Sequence, residues 1–201
     1  MSAPGRRVGL FGGTFDPIHL GHVVVAEEVR RQLDLHEVRI LPCRQPPHKD
    51  GRGLTPGADR LAMVALATQE YPALVPCSLE LERPGPSYTI DTLTQIRAAE
   101  PGHELFLILG ADSFLELPTW REHERLSEAA HLVVVNRPGT PDTPPPAAGA
   151  RGDRVRFVSV PPQAVSSREV REHCRRGLDP TPLVGIPVAD YIGKCALYRA
   201  T

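Results

Sequence analysis

Residues 8–11, 38–41, 105–109 and 132–135 form short apolar runs in which no polar face alternates with an apolar one. Runs of that length and character read as strands buried on both sides. Residues 74–77 and 155–160 are two further strand candidates. Between them, residues 20–33, 58–69, 87–98 and 167–175 carry polar side chains along one side and are long enough for amphipathic helices. Such alternation restricts the chain to a Rossmann-like, doubly wound α/β fold: a mostly parallel sheet with helices on both faces. Its crossovers should be right-handed, and a ligand is expected beyond the carboxyl ends of the strands, near the point where strand order reverses.

With 201 residues the chain can bury a sizeable core without disulfides or structural metal. The expectation is a single domain over residues 1–201, broken only by a surface loop at about 137–153. There Pro138, Pro141, Pro144, Pro145 and Pro146 mix with Gly, Ala and Thr. A formal net charge of -1 excludes a chain-wide basic nucleic-acid binder but leaves room for a local anion site. Only Lys49 and Lys194 are lysines, so the placement of each is informative. Cys43, Cys77, Cys174 and Cys195 lack Cys-x-x-Cys spacing and are expected as reduced, buried thiols. The apolar run after the first residues is too short for a signal peptide, and no run would span a membrane. A cytoplasmic protein is expected.

The segment Gly12-Gly13-Thr14-Phe15-Asp16-Pro17-Ile18-His19-Leu20-Gly21-His22 follows the first strand directly. Paired glycines let backbone turn sharply and approach a ligand without Cβ interference. The helix starting near Leu20 offers unpaired N–H groups and a positive dipole end, a ready anion site. His19 and His22, three apart, share one face of its first turn and can donate to phosphate oxygens. Gly21 removes bulk between them. The string is neither a P-loop nor Gly-x-Gly-x-x-Gly. A metal reading of His-x-x-His lacks a third ligand at recognisable spacing; that reading and a purely structural one stay open beside the phosphate role.

This string resembles the signature of the His-x-Gly-His nucleotidyltransferases, and within them the bacterial nicotinate-nucleotide adenylyltransferases. Further blocks are similar to the same family. Pro46-Pro47-His48-Lys49 follows the second strand, where a lysine on a proline-stiffened loop is a point charge for a phosphate. Pro86-Ser87-Tyr88-Thr89 opens the third helix, with Ser87 a natural N-cap. Gly110-Ala111-Asp112-Ser113 follows the strand at 105–109, and Pro118-Thr119-Trp120 comes shortly after. Arg137 opens Arg-Pro-Gly. Ser166-Ser167-Arg168-Glu169-Val170-Arg171 reads both as a capping box and as a triphosphate cradle; Arg168 and Cys43 depart from the family pattern.

The resemblance implies transfer of the adenylyl group of ATP to nicotinate mononucleotide. The products would be nicotinate adenine dinucleotide and pyrophosphate, in NAD biosynthesis. It implies His19, His22, Lys49 and Arg171 as catalytic residues, and Gly12, Gly13, Thr14, Gly110, Asp112, Ser166 and Ser167 with the histidines and Arg171 around ATP. Lys49, Tyr88, Thr89, Asp112, Trp120 and Arg137 are implied around the acceptor, Trp120 stacking on its pyridine ring. Mg²⁺ is expected on the ATP phosphates rather than in a protein-built site. The expected partners are these two small molecules, with no nucleic acid or membrane, and a homo-oligomer left open. A sister transferase with another acceptor and a non-catalytic nucleotide-binding module are the rival readings.

Overall fold

The computed structural model describes residues 5–47, 53–136 and 152–199. Each apolar run becomes a strand whose alternate residues serve opposite faces. In β4, Glu104–Gly110, Leu105, Leu107 and Leu109 point to one core while Phe106 and Ile108 point to the other. Both sets are buried, which is why no polar alternation survives in the sequence. The same division holds in β1, Arg7–Gly13, in β2, Glu37–Pro42, and in β5, His131–Asn136. Two short edge strands, β3, Leu74–Pro76, and β6, Val155–Ser159, complete the sheet.

The six strands are all parallel in the order β3-β2-β1-β4-β5-β6. Connections run one way from β1 to β3 and the other way from β4 to β6, so the order reverses between β1 and β4. The register there pairs Leu10 with Leu107.

Helices cover both faces. One layer contains α1, Leu20–Gln32, α2, Gly57–Thr68, α7, Ser167–Arg175, and α9, Ile186–Lys194, the last following the short α8, Thr181–Val184. They bury Val23, Val29, Met63, Val64, Val170, Val188 and Ile192 against the sheet. The other layer contains the short α3, Leu79–Glu82, α4, Thr89–Ala99, α5, Ala111–Leu115, and α6, His123–Ala129, and with the turn at Leu117–Thr119 it buries Leu93, Phe114, Leu117 and Leu126. Each of these large side chains contributes roughly 1.5–3 kcal/mol by leaving water. Close layering demands Gly9 in the centre of β1: a Cβ there would meet Val38 Cγ2 at 2.8 Å and Leu35 Cδ1 at 3.0 Å.

Two expectations need correction, and a third cannot be compared. The third long helix begins at Thr89 with Tyr88 as its N-cap, and Ser87 does not cap it. Ser87 instead clamps the chain beyond β2: its Oγ accepts from the Arg44 N–H at 3.0 Å and its N–H donates to the Gln45 carbonyl at 2.9 Å. The four cysteines are free thiols, but only Cys43 is buried and Cys195 is exposed. Most of the proline-rich stretch, residues 137–151, lies outside the described residues, although β6 beyond it pairs with β5 in the same sheet.

Candidate active site

The reversal of strand order leaves a crevice at the carboxyl ends of β1 and β4. On one side lies a cavity of about 390 Å³ where the starts of three helices meet. The start of α1 contributes His19, Gly21 and His22, that of α5 Gly110, Ala111, Asp112 and Ser113, and that of α7 Ser166 and Ser167. Val160 to Gln163 close the far wall. The positive dipole ends of α1 and α7 face it, which suits an anion.

His19 is the N-cap of α1 and is buried; His22 is partly so. Their rings stack with centroids 3.6 Å apart, and the His19 backbone N–H donates to His22 Nδ1 at 3.3 Å. His19 Nδ1 is a buried ring nitrogen with no hydrogen-bond partner among the described residues. Burial pulls the His19 imidazole down to about 4. It holds His22 well below its ordinary value too, helped by the neighbouring His19. Both rings are therefore neutral near pH 7, each keeping one N–H to donate. A polyanion in the cavity would favour their protonated forms.

Gly21 answers a tighter demand than access for a ligand. A Cβ there would meet Gln163 Cβ at 3.0 Å, Val165 Cγ1 at 3.0 Å and His19 Nδ1 at 3.1 Å. Its absence lets the segment before α7 close against the histidine pair.

On the other side of the crevice lies a cavity of about 310 Å³ bordered by Gly12, Gly13, Thr14, Cys43, Glu80 and Trp120. It adjoins a third, of about 350 Å³, bordered by Pro47, Tyr88, Thr89, Trp120 and Arg121. Burial raises the Cys43 thiol and the Glu80 carboxyl, whose Oε1 accepts from Thr92 Oγ1 at 2.7 Å. The Arg121 guanidinium lies 4.8 Å above the Tyr88 ring. This is an aromatic slot beside a cation, suited to a flat, anionic molecule. Ser113 borders both the first cavity and this second one.

The glycine-rich loop joining the two sides is held through its own carbonyls. Fully buried Arg60 donates Nη1 to the Thr14 carbonyl at 2.6 Å and Nε to the Thr55 carbonyl at 2.9 Å. Ser167 Oγ donates to the Pro17 carbonyl at 2.8 Å. Arg171 Nη1 donates to the Asp16 carbonyl at 2.5 Å. Ser166 caps α7, its Oγ accepting from the Glu169 N–H at 3.2 Å.

Residues 10–173 match the cytidylyltransferase-like family model. A probable nicotinate-nucleotide adenylyltransferase of Thermomicrobium roseum is 43% identical over 96% of this chain and 92% of its own. A protein of the same name from Thermus thermophilus is 43% identical over 96% of this chain and 100% of its own. The chain belongs to the nicotinate-nucleotide adenylyltransferase family. It is thus a nucleotidyltransferase. Among solved structures, a Plasmodium falciparum nicotinic acid mononucleotide adenylyltransferase complexed with NaAD shares the fold, with a TM-score of 0.77 at 20% identity. That match covers 96% of this chain and 97% of the other.

Within this adenylyltransferase, the sequence-derived candidates divide between the cavities. His19, His22, Gly110, Asp112, Ser166 and Ser167 gather around the first. Gly12, Gly13, Thr14, Tyr88, Thr89 and Trp120 gather around the other two. Lys49 and Arg137 lie outside the described residues. Arg171 borders none of these cavities and is engaged with the loop carbonyl instead. Sequence reasoning missed Arg121, although it directly follows the Pro118-Thr119-Trp120 block, and Gln163, which no motif marks.

Proposed function

We propose that this chain catalyses transfer of the adenylyl group of ATP to nicotinate mononucleotide, yielding nicotinate adenine dinucleotide and pyrophosphate in NAD biosynthesis. One observation carries the reading: an anion-suited cavity and an aromatic slot flank the same strand-order reversal, separated by the glycine loop and Ser113. Each substrate has a side, and their phosphates meet at the carboxyl ends of β1 and β4.

The acceptor phosphate is ionised near pH 7, so no general base is needed. The protein must align two polyanions and stabilise charge on the α-phosphate and the departing pyrophosphate. His19 and His22 donate to the phosphates from neutral rings, and gain protons as negative charge accumulates against them. The starts of α1 and α7, with Ser166 and Ser167, supply further donors, and Asp112 borders the same side. Gly110 keeps backbone close to the nucleotide, and Gly12, Gly13 and Thr14 do so at the junction. Tyr88, Thr89 and Trp120 hold the pyridine nucleotide, Trp120 by stacking. Lys49 and Arg137 complete the acceptor side, and Arg171 serves the ATP side by holding the loop at the Asp16 carbonyl.

A divalent ion accompanies ATP in such transfers, and we take it to be Mg²⁺. Among the described residues no group of three His, Cys, Asp or Glu side chains gathers to hold one. The ion would arrive on the phosphate oxygens of its substrate. The reading extends to one catalytic domain working in the cytoplasm on small molecules.

Pyrophosphate release, assayed with ATP and a panel of acceptor nucleotides, tests the proposal. Nicotinate mononucleotide should be the fastest acceptor. Faster release with a phosphopantetheine acceptor, or none with any pyridine nucleotide, would overturn it.

A further inference from the structure

The buried carboxylate in the middle of the glycine loop is not explained by either substrate. Asp16 is 4% exposed and borders none of the three cavities. Its Oδ1 accepts from the Tyr198 hydroxyl at 2.7 Å, across 182 residues of sequence, and its Oδ2 accepts from the Thr55 N–H at 3.4 Å. Tyr198 reaches it from the segment after α9. That segment turns back through left-handed residues at Ala196, φ 51°, and Tyr198, φ 61°, and is pinned by the Leu197 N–H on the Ile192 carbonyl at 3.0 Å. Ala196 is the left-handed cap that ends α9, whereas Tyr198, left-handed and bulky, is held in place by its partners.

The residue before Asp16 carries the consequence. Phe15 is left-handed, φ 47°, a conformation disfavoured for a side chain of that bulk. That kink directs its ring edge-on against His22, centroids 5.0 Å apart at 78°, with Phe11 packed edge-on behind it at 5.5 Å. His22 in turn stacks on His19 at the wall of the phosphate cavity. A continuous line of contacts therefore runs from the Tyr198 hydroxyl through Asp16 and Phe15 to the imidazole that faces the phosphates.

We propose that Tyr198 is a positioning residue for adenylyl transfer: by fixing Asp16 it locks the Phe15 kink and so sets the orientation of His22. It touches no substrate and acts through the loop. The inference rests on the function proposed above only for its kinetic readout.

The test is Tyr198→Phe in the full chain, which keeps the ring and removes the hydroxyl. A hydrogen bond to a charged group is worth about a tenfold to a hundredfold change. Turnover should fall by about that factor, with KM for ATP and for acceptor within about twofold. In ring-proton NMR His22 should titrate closer to its ordinary value. A mere brace would lower the melting temperature and leave both turnover and the His22 titration unchanged, which would overturn the proposal. A raised KM at unchanged turnover would overturn it too.

Should Tyr198→Phe fail to fold, Asp16→Asn and Asp16→Ala decide. With its amide oxygen turned to the phenol, Asn gives up only the long contact with the Thr55 N–H, so it should retain turnover within about threefold while Ala loses what Tyr198→Phe was expected to lose. Equal losses for the two would overturn the proposal. If the unmodified protein releases no pyrophosphate with nicotinate mononucleotide, the functional reading falls, and the His22 titration still tests the link.

Discussion

Replacing His19 by glutamine should make the protein less sensitive to acid, by an amount the structure fixes. His19 is buried at the N-cap of α1, and burial lowers its imidazole from 6.5 to about 4. The unfolded chain binds that proton more readily than the folded one. Stability from the neutral ring is thus fully present above about pH 6.5 and is lost as pH falls towards about 4. Single-site linkage gives a loss of about 2 kcal/mol by about pH 5 and about 3 kcal/mol by about pH 4. Glutamine cannot take up the proton, so the variant escapes that loss. It also removes the His19 contribution to the lowering of His22, which acts in the same direction. Urea unfolding followed by Trp120 fluorescence, at about pH 7.5 and about pH 5, measures the quantity for both proteins. Carboxylates titrate equally in both and cancel in the difference. If wild type and His19→Gln lose the same stability between the two pH values, the buried neutral imidazole is refuted.

Other substitutions separate the two sides of the crevice. His22→Ala should cut turnover by about a hundredfold or more with the circular dichroism unchanged, read by pyrophosphate release. Trp120→Ala should chiefly raise KM for the pyridine nucleotide by removing a stacking face worth about 1–3 kcal/mol, and an effect confined to ATP would reverse the assignment. Arg168 is exposed at the start of α7, its side chain turned to solvent. Arg168→Thr should therefore leave KM for ATP within about twofold.

Legibility followed the range of the interactions. The runs of β1, β2, β4 and β5 were readable because burial on both faces leaves a continuous apolar signature, and all six runs lie within an observed strand or overrun its end by one residue. Helix α7 begins and ends at Ser167 and Arg175, as its spacing predicts, because Ser166 and Glu169 are a local cap. The short α5, α6 and α8 hold too few turns to show a period. Most motif residues sit where a parallel sheet puts ligands, so their grouping was foreseeable. The hold of Arg60 on Thr14, of Arg171 on Asp16 and of Tyr198 on Asp16 spans 46, 155 and 182 residues. No spacing rule reaches so far. Ser87 shows the opposite failure: a local rule named it a cap, and two bonds to residues before α2 claimed it instead.

Ser113 standing between the phosphate cavity and the aromatic side of the crevice also bears on how the protein could be inhibited. Two ligands that bind on either side of Ser113 each give up their freedom of motion separately. A single molecule carrying a planar acid at one end and a polyanion at the other would give it up once, because docking either end brings the other to high effective concentration. It would have to pass the junction that Ser113 borders on both sides. A larger side chain at position 113 would then weaken such a compound more than it weakens either half alone.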